Sequence, residues 1–265
     1  MRVLFNSSIY KLFTVCLSLI LCMSSFNSVM AQDQPSDDIQ TLMVHFEPKQ
    51  MIQLISPDTS ISKNTKEAAK LRGKYYQEAI PLAQSFGFKN HVQLNVTNTL
   101  VGSTKPTALI LSSWPSVATF DEFSALPEWP KLKEMRKNAW DELSLYNAEI
   151  DHATILTFRE DKYYTVLFAW INPEHPSDYL AYLAGIETAL NRIGGTFMLK
   201  LKEPSIEVHA SENNPPFQIT FVEWDTKDGF TKLSKQEDYK RYTNLRDSGL
   251  RKVEFHQIKP KFPKS

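Results

Sequence analysis

Apolar and polar residues alternate over short stretches that recur in two halves of the chain. In the first half the stretches are 41–47, 91–96, Ala108–Trp114 and 142–147; in the second they are 164–172, 197–202, Gln218–Trp224 and 252–257. A period of two with β-branched and aromatic side chains predicts strands. After the first strand of each half the period lengthens to that of a helix. Ala68, Leu71, Tyr75 and Leu82 share one face there, as do Leu180, Leu183, Ile186 and Leu190. Asn64 with Glu67 reads as a capping box, and Ser177 as the cap of the second helix. Gly194-Gly195 supplies the left-handed stop, and Pro81 is expected to kink the first helix or loosen its last turn. A shorter helix precedes the last strand of each half.

The halves are copies of one pattern. Trp114 and Phe120 stand six residues apart, as do Trp224 and Phe230, at an offset of 110. The same offset carries Pro106 to Pro216, Trp129 to Tyr239, Arg136 to Arg246 and Leu143 to Val253. Upstream the offset changes, and Leu42, Val44 and Phe46 are matched to Leu167, Ala169 and Ile171. A repeat of this length is a small domain, since solenoid periods run ~20–50 residues. Each copy reads βαββαβ, a split-βαβ, ferredoxin-like topology. The expected organisation is a leader at 1–31, a polar tether at 32–40, and repeats at 41–151 and 152–265.

Phe221-Val222-Glu223-Trp224, Phe230 and Gln236-Glu237-Asp238-Tyr239-Lys240 carry a resemblance, echoed by Ser113-Trp114, Phe120 and Pro127-Glu128-Trp129. They resemble the signature of small uncharacterised proteins of the dimeric α/β-barrel superfamily. That superfamily includes cofactor-independent oxygenases of the antibiotic-biosynthesis type, muconolactone-isomerase-like enzymes, stress-responsive barrels and haem-binding members. The resemblance implies an α+β fold in which two tandem ferredoxin-like repeats close one barrel within a single polypeptide. The motif is aromatic and not itself catalytic, so it transfers no site residue.

Alternation then sorts the strands into two faces. The consistently apolar set, including Leu42, Val44, Phe46, Val92, Leu94, Leu109, Leu111, Leu143, Leu145, Leu199, Leu201, Ile219 and Phe221, is expected beneath the helices. The mixed set is expected to line the interior. From it come the ligand-binding candidates Trp114, Tyr146, Trp170, Asn172, Trp224, His91 and Asn95. His45, Glu254 and His256 are the acid/base candidates, because a carboxylate two residues from an imidazole on one face can tune it. A solvated sheet face, paired surface charge and hydrogen-bonded structural histidines are the plainer readings of the same positions. Residues 48–63 form the largest difference between the halves; Met51, Ile52 and Leu54 are expected in a lid over one mouth of the barrel.

Composition narrows the chemistry. The chain has 30 basic and 30 acidic residues, and without a basic block nucleic acid is not an expected partner. Both cysteines, Cys16 and Cys22, fall in residues 1–31, where Arg2, Lys11, an apolar run and Val29-Met30-Ala31 read as a secretory leader. The mature chain would then lack disulfides and thiolate metal ligands, have no membrane span, and reside in a periplasm or outside the cell. The six histidines show no H-E-x-x-H or tight pairing, so no metal and no cofactor is expected. Ser60-Ile61-Ser62-Lys63, Ser211-Glu212-Asn213 and Lys227-Asp228-Gly229 mimic the trio of penicillin-recognising enzymes by chance. The mixed strand face points to a small-molecule pocket between the repeats. The alternatives are a cofactor-independent monooxygenase or isomerase on an aromatic or enolisable substrate, and an interaction module that pairs with a partner or a second copy as a homodimer.

Overall fold

The computed structural model describes residues 39–209 and 214–263. Its first half runs β1 (Thr41–Phe46), β2 (Met51–Asp58), α1 (Lys66–Ser85), β3 (Lys89–Val101), β4 (Ala108–Trp114), α2 (Val117–Ser124), α3 (Trp129–Ala139) and β5 (Glu142–Glu149). The second runs β6 (Thr154–Arg159), β7 (Tyr163–Ile171), α4 (Pro176–Arg192), β8 (Gly195–Lys202), β9 (Ser205–His209), β10 (Gln218–Trp224), α5 (Gly229–Ser234), α6 (Glu237–Arg241), α7 (Thr243–Gly249) and β11 (Leu250–Pro260). The expected leader and most of the tether lie outside the described residues.

Nine strands form one antiparallel sheet in the order β8-β10-β7-β11-β3-β4-β2-β5-β9. Taken alone, β5-β2-β4-β3 and β11-β7-β10-β8 each show the fourth-first-third-second order of a ferredoxin-like unit. The sheet's two ends, β8 and β9, are separated in the chain only by Glu203 and Pro204. The sheet therefore closes on itself as a barrel. β3 joins the halves on one side, pairing with β4 through Lys89–Asn95 and with β11 through Leu94–Val101. β8 and β9 do the same on the other, against β10 and β5.

The first strand of the first unit is β2, not the alternating stretch at 41–47. β1 pairs instead with β6, in a separate two-stranded sheet that crosses the expected repeat boundary at 151/152. The proposed lid is likewise a strand: Met51, Ile52 and Leu54 are all buried in β2. Thr65 rather than Asn64 caps α1, accepting from the Ala68 N–H, and the helix runs on through Pro81. No side chain caps α4, and Leu180 on it is exposed. Gly87 and Gly194, at φ +83° and +76°, take the left-handed positions that follow α1 and α4.

Three apolar cores result. One fills the barrel, where Val92, Leu94, Leu109, Leu111, Leu199, Leu201, Ile219 and Phe221 meet Ile52, Leu54, Val166 and Phe168. Val44 and Phe46 of β1 and Leu156 and Phe158 of β6 join this same core. The other two lie between sheet and helices, around Trp114, Trp129 and Leu143 in the first half and Trp224, Tyr179 and Leu190 in the second. The faces of β3, β4, β8 and β10 are thus the reverse of those expected, and those of β5 and β7 are as expected.

Candidate functional site

Register sets the site. On the interior face, Phe168 of β7 lies opposite Glu254 of β11, Val166 opposite His256, and Trp170 opposite Lys252. Tyr146 comes from β5, the far side of the barrel, where it pairs with Leu54 of β2 and Ile206 of β9. Tyr146 and Phe168 meet across the interior, ring centres 5.2 Å apart. Around them is a cavity of about 170 Å³ walled by Ser144, Tyr146, Phe168, Trp170, Glu254 and His256. Asp58, Thr104, Glu142, Arg251 and Lys252 also line it.

Glu254 is 2% exposed and held by the β3–β4 turn. Its carboxylate accepts from the Ser103 N–H (3.3 Å) and hydroxyl (3.4 Å) and from the Thr104 N–H (3.2 Å) and hydroxyl (2.9 Å). The Lys252 ammonium stands 3.5 Å away and also lies over the Trp170 ring, 4.6 Å from its centre. Gly102, at φ +110°, makes this approach: a Cβ there would overlap the Glu254 carboxylate. The Trp170 indole N–H donates to the Asn214 carbonyl at 2.8 Å, which fixes that ring in the wall.

His256 is 1% exposed. Its Nδ1 pairs with the Thr99 hydroxyl at 3.1 Å, and among the described residues Nε2 has no protein partner. Burial pushes its pKa below the ordinary value and outweighs the opposing charge of Glu254, so the imidazole is neutral at neutral pH. Tyr146 is shifted the other way: burial, helped by Glu142 and Glu254, raises its pKa despite Ser144, so it remains a hydroxyl donor. The cavity thus presents a neutral nitrogen acceptor, a phenol donor and an aromatic wall. This combination can bind a planar molecule and receive a proton from it.

Of the residues expected at the site, the structure brings Tyr146, Trp170, Glu254 and His256 together. The others lie elsewhere. His45 is exposed on β1, one residue out of phase with buried Val44 and Phe46. His91 is half-buried, with Nε2 2.8 Å from the Ser113 hydroxyl and its ring edge-on to Phe46. Asn95 accepts from Gln93, and Asn172 holds a turn by donating to the Ser248 carbonyl and accepting from the Glu174 N–H. Trp114 and Trp224 sit beneath helices because β4 and β10 present the opposite face inward. His45, His91 and His256 do not converge, and no cluster of three metal-ligating side chains occurs among the described residues. The sequence reading missed Phe168, Lys252 and the 102–104 turn. Lys252 shares the parity of Glu254 and His256 and was legible on that ground. A haem macrocycle does not fit the interior, which Phe46, Phe158, Phe221 and their neighbours fill down to the small cavity.

No protein-family model matches the sequence, and no curated protein matches it. Solved structures do. An anthrone oxidase-like protein superposes with a TM-score of 0.50 at 16% identity, over 83% of this chain and 95% of that one. A mutant chlorite dismutase from Candidatus Nitrospira defluvii gives 0.42 at 9% identity, over 81% and 93%. A candidate monooxygenase from Fusobacterium nucleatum subsp. nucleatum gives 0.39 at 9%, over 81% and 94%. Strand order, barrel closure and the first of these superpositions agree: the chain has the dimeric α/β-barrel fold, closed within one polypeptide.

Proposed function

We propose that the barrel interior binds a small planar molecule with an aromatic or enolisable group. The carrying observation is buried, neutral His256, tethered at Nδ1 and uncommitted at Nε2 in an aromatic wall. A cavity of about 170 Å³ suits one ring, since a ~150 Å³ cavity accepts benzene. A three-ring anthrone is too large for it, so likeness to an anthrone oxidase-like protein supports the fold and not that substrate. Residues 1–31, read as a leader, support an exported setting. Titration with phenol, a single ring whose hydroxyl can donate to Nε2, followed by tryptophan fluorescence, tests binding. Saturation weakened about tenfold in His256→Leu is expected, the loss of one hydrogen bond to a buried group. An unchanged affinity rejects the reading.

A second reading follows from the neutral state of His256: proton abstraction from an enolisable carbon, with Tyr146 donating to the enolate oxygen. Acetylacetone incubated in D₂O tests it by NMR. Protein-dependent deuterium exchange that disappears in His256→Gln supports catalysis. Exchange at the buffer rate leaves the site a binding site only.

A further inference from the structure

The helix layer of the first half holds a second cavity, of about 230 Å³, separate from the barrel interior. Its apolar walls include Tyr75, Ala79, Phe88, Ile110, Phe123 and Leu145, and Tyr76, 41% exposed, connects it to the surface. Trp114 and Trp129 also line it. Both are more than nine-tenths buried, and among the described residues neither indole N–H has a hydrogen-bond partner; each nitrogen is covered by neighbouring protein atoms at the edge of the cavity. Leaving one such donor unpaired costs about 1–3 kcal/mol, so an acceptor that enters the cavity and is reached by a small shift of either ring is favoured.

The other half shows what a satisfied version looks like. Trp224, the counterpart of Trp114, donates to the Thr165 hydroxyl at 2.9 Å. Trp224 and Trp114 pair with Tyr163 and Met51, so the position of Thr165 falls to Gln53 in the first half. Gln53 donates to Asn147 at 2.8 Å and does not accept from Trp114. Tyr239, the counterpart of Trp129, carries a hydroxyl that accepts from Arg246. Both positions are therefore satisfied internally in the second half and open in the first.

Charge selects the ligand. Arg136, 2% exposed, lies in the wall with its guanidinium 4.7 Å from the Trp129 ring centre. It already pairs with Glu207 and donates twice to the Tyr75 hydroxyl. An anion would find that cation neutralised. We propose that this cavity binds a neutral, largely apolar molecule bearing one hydrogen-bond acceptor, of the class of small ketones, aldehydes and esters. Scaled from a ~150 Å³ cavity that accepts benzene, the volume suits about nine or ten non-hydrogen atoms.

The test is a calorimetric titration of the full chain with 1-indanone, with indane (the same frame without the carbonyl) and with indane-1-carboxylate. Indanone is expected to bind at least ~10-fold more tightly than either, one satisfied donor being the difference. Trp129→Phe should bring indanone down to the indane level. Ala79→Phe should abolish the preference for indanone over indane, with Ala79→Leu as the smaller plug should the larger variant fail to fold, and His256→Gln, which weakens only the barrel site for such ketones, should leave that preference intact. Indane or the carboxylate binding as tightly as indanone overturns the proposal. So does the absence of saturation by any of the three, which would assign the two donors to water, or loss of the indanone preference in His256→Gln, which would assign the ligand to the barrel.

Discussion

Replacing Gly102 with alanine places a methyl group where the Glu254 carboxylate sits. The new Cβ would overlap Oε2 and come within 3.1 Å of the Glu254 Cα, so backbone as well as side chain must give way. At φ +110° the alanine is itself strained, by about 1–3 kcal/mol. Rotating the carboxylate away strips up to four hydrogen bonds from residues 103 and 104. Bonds to charged groups contribute about 1.5–3 kcal/mol each, and some are remade with water or Lys252, so a net loss of about 3–5 kcal/mol is expected. Urea unfolding followed by tryptophan fluorescence measures it, with Gly73→Ala as the control. Gly73 lies inside α1, and a Cβ added there would meet nothing within 4 Å, so alanine should stabilise by about 0.5–1 kcal/mol. In a Glu254→Ala background the overlap with the carboxylate is gone, and Gly102→Ala should cost only the backbone strain and the 3.1 Å approach to the Cα of residue 254. A Gly102→Ala protein within about 1 kcal/mol of wild type, or an equal cost in both backgrounds, refutes the cradle reasoning.

Leu54→Ala should destabilise by about 2–5 kcal/mol in urea, because Leu54 is fully buried in the barrel core; a lid residue would cost almost nothing. Arg136→Met should cost about 3 kcal/mol by leaving Glu207 and the Tyr75 hydroxyl short of their partner, and a thermal melt unchanged by it would show that the pair is dispensable. Depressed His256 makes the unfolded chain bind more protons between its folded pKa and 6.5. Stability should therefore rise with pH through that window and level off above it, and His256→Gln should flatten the rise.

What the sequence made legible follows from burial. A fixed offset of 110 found β4, β10, β5 and β11, because the Trp–Phe spacing and the apolar positions around it are echoed in both halves. β2 escaped because both of its faces are buried: Met51, Ile52, Gln53 and Leu54 are all inaccessible, so no alternation marks the strand, and Ser56-Pro57-Asp58 imitates a turn. Thr41–Phe46 alternates well because it lies on the barrel core with its other side exposed. The same double burial explains the inverted faces. Strands such as β4 and β5 meet helices on one side and the interior on the other, so apolarity cannot tell Leu111 inside from Leu143 outside. At the site, Glu254 and His256 were legible from their spacing in one strand. Phe168 was not, because its partner Glu254 lies 86 positions away and only register joins them.

The interruption at Glu203-Pro204 gives the barrel two unequal seams. One is fastened by β3, an unbroken strand of 13 residues; the other hangs on β9, with 5. Glu203 takes a left-handed φ of 45° that a non-glycine residue adopts at a cost. The short seam is thus where the barrel parts first, like a clasp opposite a hinge, and backbone amides of 205–209 should exchange with solvent ahead of those of 94–101. Tyr146 sits beside that clasp, paired with Ile206. Parting of those five residues would therefore uncover the Tyr146 wall of the cavity.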